Sequence, residues 1–214
     1  MIVHGYFLSS AAHRLRIALN LKGIAAEPRS VHLRKREQDA EAYRAVNPQG
    51  LVPALEADDG TVLTQSLAII EFLDETCPQP RLIPEDALGR ARVRALSLIV
   101  ACEIHPLNNA RTLAHLRKAM NQTEDQVNAW YRHWVADGLA KFEASLASFP
   151  GTGRFCHGDA PTMADCCLVP QVFNAQRFDC DTKPYPTVMR VFDECMKLEA
   201  FDRAQPAKQP DAEP

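Results

Sequence analysis

Short apolar runs alternate with stretches of helical spacing over the first third of the chain. Residues 2–7 have the apolar, β-rich composition of a buried strand, and residues 28–33 are predicted as a second strand. Between them, residues 10–22 repeat apolar side chains at intervals of three to four. Gly23 follows as a residue that commonly ends a helix. The pattern therefore predicts a strand, a helix and a second strand in this order.

The next part of the chain predicts a short helix, a hairpin and a further helix. Residues 38–46 have helical character, and the apolar runs 54–57 and 61–63 flank an Asp-Asp-Gly turn signal. Helical spacing returns from Leu67 to Cys77. The order β-α-β-α-β-β-α predicts a mixed four-stranded sheet covered by helices, as in thioredoxin-like domains.

A proline-rich segment separates this region from a longer helical one. Residues 77–84 contain three prolines and are expected to form a stiff linker. We place a thioredoxin-like domain at residues 1–80 and an all-helical domain at residues 81–206. The polar residues 207–214 are expected to be a disordered tail.

Helical patterns, a capping signal and two prolines divide the helical region. Residues 87–120 and 123–149 carry long helical patterns, the first with a bend expected at Pro106. Thr162 and Asp165 form a capping-box pattern before an apolar run, and Pro170 is expected to kink that run.

Composition narrows the classes of function. A net charge of −3 argues against general nucleic-acid binding, and no apolar run approaches the length of a membrane-spanning helix. The N-terminal residues lack the basic and apolar regions of a signal peptide. Seven cysteines without a Cys-x-x-Cys pair indicate free thiols in a reducing cytoplasm.

A metal site is not expected. Cys156-His157 and Cys166-Cys167 are the only cluster worth weighing, and their spacing matches no zinc template. Neighbouring cysteines on a helix also point about 100° apart, which suits one shared ion poorly.

Residues 47–55 carry the chemistry that is most readily interpreted. Pro48-Gln49-Gly50 forms a turn, and Pro53 opens a strand to which it cannot donate a hydrogen bond. If the Val52–Pro53 bond is cis, the Val52 N–H and C=O face outward and can pair with a peptide. Gln65-Ser66 then begins a helix, whose N-terminus favours a carboxylate. Together these features predict a site for a small acidic peptide.

Together with residues 9–19, Ser-Ser-Ala-Ala-His-Arg-Leu-Arg-Ile-Ala-Leu, these motifs resemble the zeta-class glutathione transferases. Within that class the chain is most similar to the maleylpyruvate and maleylacetoacetate isomerases. Residues 168–172, 174–178 and 184–186 add to the resemblance, which covers residues 2–205. It implies the glutathione transferase architecture, glutathione as cofactor, a homodimer, and cis-trans isomerisation of a maleyl keto diacid in aromatic catabolism.

The resemblance also implies roles for individual residues. Ser9 matches the family's catalytic serine and Ser10 its neighbour, whereas their position before a helix alone favours ordinary N-capping. The positions expected to contact glutathione are Gln38, Gln49, Val52, Pro53, Gln65, Ser66, His105 and Asn109. Arg111 and Arg177 are expected to hold substrate carboxylates, although a surface ion pair would be the usual role of such residues.

The chain departs from the family pattern at Leu8, Ala11 and Ala12. Many zeta members have arginine, cysteine and serine there, and in the isomerases the arginine helps to hold a substrate carboxylate. Two alternatives therefore stay open beside the isomerase. One is a transferase that conjugates or dehalogenates small electrophiles, and the other is a binding protein without catalytic activity.

Overall fold

A computed structural model describes residues 1–213 of the chain. The chain forms two compact units. The first comprises Met1–Ile83 together with Met196–Pro214, and the second comprises Pro84–Cys195. Among the described residues, no helix is both long and apolar enough to cross a membrane.

The first unit contains a mixed four-stranded sheet, as the sequence predicts. Its strands lie in the order β2-β1-β3-β4; β1 is parallel to β2 and antiparallel to β3, and β3 is antiparallel to β4. The elements are β1 (Ile2–Gly5), α1 (Ser10–Lys22), β2 (Glu27–Ser30), α2 (Glu41–Val46), β3 (Ala54–Glu56), β4 (Val62–Thr64) and α3 (Ser66–Thr76). The segment before α2, where the sequence suggests helix from residue 38, instead contains the 3₁₀ turn Glu37–Asp39.

Apolar side chains from α1, β3 and α3 form the core of this unit. Leu15, Leu55 and Ile70 are fully buried. A buried ion pair joins the two helices, with Lys22 Nζ 2.7 Å from Asp74 Oδ1. Lys22 also donates to the carbonyl oxygens of Cys77 and Pro80, and so ties the end of α1 to the proline-rich segment.

The second unit consists of helices joined by turns and loops and has no strand among its described residues. Its elements are α4 (Ala87–Leu98), α5 (His105–Asn108), α6 (Ala110–Lys118), α7 (Glu124–Ala147), α8 (Met163–Arg177) and α9 (Pro186–Met196). Where the sequence suggests one long bent helix, the π-helical segment Ile99–Ile104 separates α4 from α5. Gly138 on α7 makes room for this segment, because a Cβ there would lie 2.2 Å from an Ile104 side-chain carbon.

The predicted capping box of α8 is confirmed. The Asp165 carboxylate accepts hydrogen bonds from the Thr162 amide at 2.7 Å and from the Cys156 amide at 2.8 Å. The helix runs on through Pro170, so the proline does not end it.

The C-terminal segment differs from the sequence-based expectation. Residues 199–204 form α10 (Glu199–Ala204), which packs on α1 in the first unit, where Phe201 is fully buried. Residues 207–213 also have definite contacts, although the sequence predicts disorder for them. Asp211 accepts a hydrogen bond from the Phe7 amide, and Glu213 pairs with His32. A short polar segment has no pattern that names its tertiary partner, so these contacts could not be predicted; Pro214 lies outside the described residues.

Candidate active site

Ser9 lies at the start of α1, at the end of a tight turn. The turn spans residues 6–9 and is closed by a 2.9 Å hydrogen bond from the Ser9 amide to the Tyr6 carbonyl. Ser9 is the N-cap of α1, and its Oγ accepts from the Ala12 amide at 3.2 Å. The capping role is therefore confirmed. The capping bond uses only a lone pair of Ser9 Oγ, so the hydroxyl proton stays available to donate to another group.

Ser10 is less accessible than Ser9. It is the first residue of α1 and is buried, whereas Ser9 is half-buried. Of the two serines, Ser9 is therefore better placed to reach a ligand from its hydroxyl. Its catalytic role stays a prediction.

The loop before β3 offers a peptide backbone edge. The Val52–Pro53 bond is cis, as expected. The carbonyl of Leu51 accepts from the Tyr43 hydroxyl at 2.6 Å and from Asn47 Nδ2 at 2.7 Å, which fixes the loop from behind. By contrast, the Val52 amide and carbonyl take part in no hydrogen bond among residues 1–213. Both backbone groups can therefore pair with a ligand.

Gln65 has an unusual backbone conformation at the start of α3. Its φ is 68° and its ψ is 113°, which a residue with a side chain adopts only at a cost. Gln65 Nε2 donates to Gln49 Oε1 at 3.0 Å, and Gln49 Nε2 lies 3.4 Å from Thr64 Oγ1. Two predicted ligand residues from separate loops are thus bonded to each other.

Ser66 begins α3 and lies beside a buried cation. Arg14 Nη1 is 3.4 Å from Ser66 Oγ, and both residues are buried. The guanidinium charge and the N-terminus of α3 both favour an anion at this point. Sequence reasoning assigned no role to Arg14; its place in the motif Arg-Leu-Arg was the available signal.

Gln38 lies close to the loop before β3, at Gly50. A Cβ at Gly50 would be only 3.0 Å from the Gln38 carbonyl oxygen, and Gly50 has a φ of 62°, so glycine is required there. Gln38 Oε1 is buried and has no hydrogen-bond partner among the described residues. Its amide group can therefore gain a bond when a ligand binds.

Positive charge is concentrated in the first turns of α1. Burial lowers the pKa of Arg16 to about 10, and Asp211 opposes that shift. Burial, with the charges of Arg16 and Arg14, holds the pKa of His13 well below its ordinary value. His13 is therefore neutral near pH 7, and the two arginines supply the charge.

The remaining candidates belong to the second unit. Asn109 Nδ2 lies 3.3 Å from His105 Nε2, and Asn109 Oδ1 accepts from the Arg111 amide at 3.0 Å. His105 and Asn109 are thus in contact, and Arg111 lies in the first turn of α6. Arg111 and Arg177 are exposed, and neither guanidinium forms an ion pair within residues 1–213.

Within the first unit, the structure thus pairs Gln49 with Gln65 and places Ser66 beside Arg14. Within the second unit it brings His105 and Asn109 into contact. Arg177 ends α8, with its guanidinium carbon 5.1 Å from the centre of the Phe178 ring. No group of three or more histidine, cysteine, aspartate or glutamate side chains arranged for a metal ion occurs among the residues described.

Comparison with known proteins identifies the family. Residues 8–76 match the glutathione S-transferase N-terminal domain, and residues 113–199 match the corresponding C-terminal domain. A maleylpyruvate isomerase from a Ralstonia species is 51% identical over 212 residues, which are 99% of this chain and all of the relative.

Two solved structures agree with this likeness. A holo structure of maleylpyruvate isomerase, a bacterial zeta-class glutathione transferase, has a TM-score of 0.97 at 51% identity and covers both chains fully. A maleylacetoacetate isomerase from Anaeromyxobacter dehalogenans has a TM-score of 0.89 at 46% identity, over 100% of this chain and 97% of that one. Its active site holds dicarboxyethyl glutathione and citrate. This chain therefore belongs to the glutathione S-transferase family, and within it to the zeta-class group of maleylpyruvate and maleylacetoacetate isomerases.

Proposed function

We propose that this protein is a glutathione-dependent cis-trans isomerase that converts a maleyl keto diacid, maleylpyruvate or maleylacetoacetate, into its fumaryl isomer in aromatic catabolism. The observation that carries the proposal is the full-length likeness to maleylpyruvate isomerase at 51% identity. The bonded cluster of Gln49, Gln65, Ser66 and Arg14 beside an unpaired Val52 backbone supports the glutathione half of it.

Glutathione is an acidic tripeptide, and each of its parts has a partner in the first unit. The Val52 amide and carbonyl pair with the cysteinyl residue, next to cis Pro53. Gln65 and Ser66 hold the γ-glutamyl carboxylate and amine, with Arg14 supplying charge. Gln38 and Gln49 reach the glycyl end. The family resemblance also implies glutathione contacts for His105 and Asn109, which lie 3.3 Å apart.

Ser9 activates the glutathione sulfur. A free thiol has a pKa near about 8.5, so only a few per cent is thiolate at neutral pH. The Ser9 hydroxyl donates to the sulfur, and the N-terminus of α1 favours the negative charge. Every unit by which the pKa falls favours the thiolate by about 1.4 kcal/mol.

The thiolate then adds to the cis double bond, which is conjugated to a ketone. The carbon–carbon bond becomes single while the electron pair moves to the ketone oxygen as an enolate. After rotation the enolate collapses, the trans double bond forms and the thiolate leaves. Glutathione is regenerated in each cycle, and the protein contributes by positioning both reactants and stabilising the enolate.

The diacid needs fixed cations. The family arginine before Ser9 is Leu8 here, so Arg177 and Arg111 carry more of that role. Both are exposed arginines without an ion-pair partner among residues 1–213, which leaves their planar guanidinium groups free for a carboxylate.

An isomerisation assay tests this function. The protein is incubated with maleylpyruvate or maleylacetoacetate and a catalytic amount of glutathione, and the fumaryl product is followed by proton NMR. Rapid fumaryl formation that needs glutathione is the expected result. Absence of the trans product with both substrates would reject the proposal.

Leu8 favours one other function, the conjugation or dehalogenation of a small electrophile. Without a cation at this position, a less anionic substrate is accommodated more easily. In that reaction the thiolate attacks once and the conjugate departs. Conjugation of a chlorinated nitrobenzene at a rate above diacid isomerisation would favour this second function.

A homodimer is the assembly we infer from the family resemblance. Exposed apolar side chains in the second unit support it, with Leu88 84% and Met120 54% exposed. Sedimentation at micromolar concentration tests the dimer, and a monomer there would contradict it. We also place the protein in the cytoplasm, since all seven cysteines are free thiols.

A further inference from the structure

The turn that presents Ser9 is held by the opposite end of the chain. This turn is residues 6–9, and its second residue, Phe7, donates its amide to Asp211 Oδ2 at 3.1 Å. The same carboxylate oxygen accepts a hydrogen bond at 2.9 Å from the Oγ of Ser30, the last residue of β2. Asp211 thus links the turn to the end of β2.

Arg16 holds the carbonyl side of the same turn. Its Nη2 donates to the Phe7 carbonyl at 3.1 Å, and its Nη1 lies 3.5 Å from the Tyr6 carbonyl. Its Nε donates to the Ala204 carbonyl at the end of α10 at 3.1 Å. The turn is therefore bonded on its amide side by the C-terminal segment and on its carbonyl side by a largely buried guanidinium that also contacts that segment.

Asp211 and Arg16, which bond the two sides of the turn, also interact electrostatically. The negative charge of Asp211 favours the charged form of Arg16, which burial disfavours. A carboxylate that accepts from a backbone amide makes one of the stronger hydrogen bonds in proteins. These contacts consequently define the position of Phe7 more tightly than the hydrogen bond that closes the turn of residues 6–9 would do alone.

The C-terminal segment is itself anchored on both sides of Asp211. Before it, Lys208 Nζ pairs with Asp202 of α10, 2.5 Å apart. After it, Glu213 Oε1 lies 2.7 Å from His32 Nε2, and the His32 ring contacts Tyr6 with ring centres 5.1 Å apart. The segment therefore reaches the turn directly through Asp211 and indirectly through Glu213 and His32.

We infer that Asp211 is a positioning residue for the reaction: by bonding the Phe7 amide it holds the turn of residues 6–9 so that Ser9 Oγ faces the glutathione sulfur. This inference rests on the proposed function, because it takes Ser9 as the group that stabilises the thiolate. Asp211 is not one of the proposed contacts of glutathione or the diacid; it acts through Phe7 and Ser9. A displacement of about 1 Å in a catalytic group can lower a rate by up to about a hundredfold, so loss of the Asp211 hydrogen bond has a measurable effect.

The inference is tested with Asp211→Ala, Asp211→Asn and a control, Asp137→Ala. Asp137 forms an exposed ion pair with Lys141 on α7, so the control removes a carboxylate that does not contact the turn. Two quantities are measured: kcat for isomerisation, and the pKa of bound glutathione from the ultraviolet absorbance of its thiolate. Wild-type protein shows in the same experiment whether the proposed function holds.

Asp211→Ala is expected to lower kcat about tenfold and to raise the pKa of the bound thiol, with an unchanged KM for glutathione. Asp211→Asn keeps an oxygen that accepts from Phe7 and should retain most of kcat. Unchanged kcat and thiol pKa in Asp211→Ala would overturn the inference. An equal loss in the asparagine variant or in the Asp137→Ala control would also overturn it.

A chain that ends at Gln209 gives a second test if Asp211→Ala does not fold. It removes the same carboxylate and introduces no new side chain, and the same fall in kcat and rise in thiol pKa are expected. A folded truncated protein with wild-type values would contradict the role of Asp211. If wild-type protein lowers the thiol pKa but isomerises neither diacid, the proposed function fails, and the thiol titration still decides the role of Asp211.

Discussion

The polar residues of the first unit are bonded to one another, whereas the arginines proposed for the diacid in the second unit are not. Gln65 donates a hydrogen bond to Gln49, and Arg14 donates one to Ser66. Arg111 and Arg177 have no anionic partner within residues 1–213. A ligand used in every cycle, such as glutathione, gains from a preformed set of contacts. The diacid, as the second substrate, can be held by the exposed guanidinium groups of Arg111 and Arg177. A neutral electrophile would not need these cations.

The two units also differ in the ion pairs that stabilise them. Removing one of these pairs gives the largest expected effect, on the free energy of unfolding. Lys22 and Asp74 form a buried pair in the first unit, while Lys141 and Asp137 form an exposed pair in the second. Lys22→Ala leaves a buried carboxylate uncompensated and should lower the free energy of unfolding by about 3–5 kcal/mol. Lys141→Ala should cost less than about 1 kcal/mol. Chemical denaturation measures both, and similar losses would remove the distinction.

Arg177→Ala tests whether an exposed arginine of the second unit binds the diacid substrate. If Arg177 holds a carboxylate that Leu8 cannot hold, its loss should weaken transition-state binding of a diacid by about 2–4 kcal/mol. The KM for the diacid should rise strongly, while conjugation of a chlorinated nitrobenzene should stay nearly constant. A parallel fall of both activities would make Arg177 a structural residue. No change in either would weigh against a diacid substrate.

Ser9→Ala tests the first unit directly. It removes the donor to the sulfur, so kcat should fall about tenfold or more while glutathione still binds through the other contacts. Loss of the N-cap should also lower stability by about 1 kcal/mol. Steady-state kinetics and calorimetric binding of glutathione separate the two effects. Wild-type activity of the variant across neutral pH would transfer the role to Ser10.

The smallest predicted effect is the contribution of His13 to the pH dependence of folding stability. Its folded-state pKa lies below the ordinary value of 6.5, so the unfolded chain binds a proton more readily. Stability is therefore fully present above about pH 6.5 and falls as the pH is lowered, by at most about 1.4 kcal/mol per pH unit. His13→Gln should reduce this slope. Denaturation at several pH values checks it, and an unchanged slope would show that His13 does not cause it.

Local patterns predicted the fold well because each element carries its own signal. The turn at residues 48–50, the cis bond at Val52–Pro53 and the capping box at Thr162 and Asp165 all depend on neighbours in the sequence. The return of Asp211 to Phe7 does not, since the two residues are 204 positions apart. The π-helical segment Ile99–Ile104 has no local signal of its own and depends on packing at Gly138.

The candidate site was predictable to the same extent. The motifs correctly placed Ser9, Gln65 and Ser66 at helix starts and Val52 before a cis proline. The roles of these residues in catalysis and binding stay predictions. The sequence could not show that Gln49 and Gln65 bond each other across separate loops. Such pairings are set by tertiary structure, which no single motif encodes.

The most direct test of the central claim is the ratio of product formed to glutathione consumed. A maleyl diacid in large excess is incubated with the protein and limiting glutathione, and both the trans product and free glutathione are quantified by NMR. An isomerase forms many equivalents of fumaryl product for each glutathione and leaves the glutathione intact. Product that stops at one equivalent, with all glutathione recovered as a stable conjugate, would contradict the isomerase assignment.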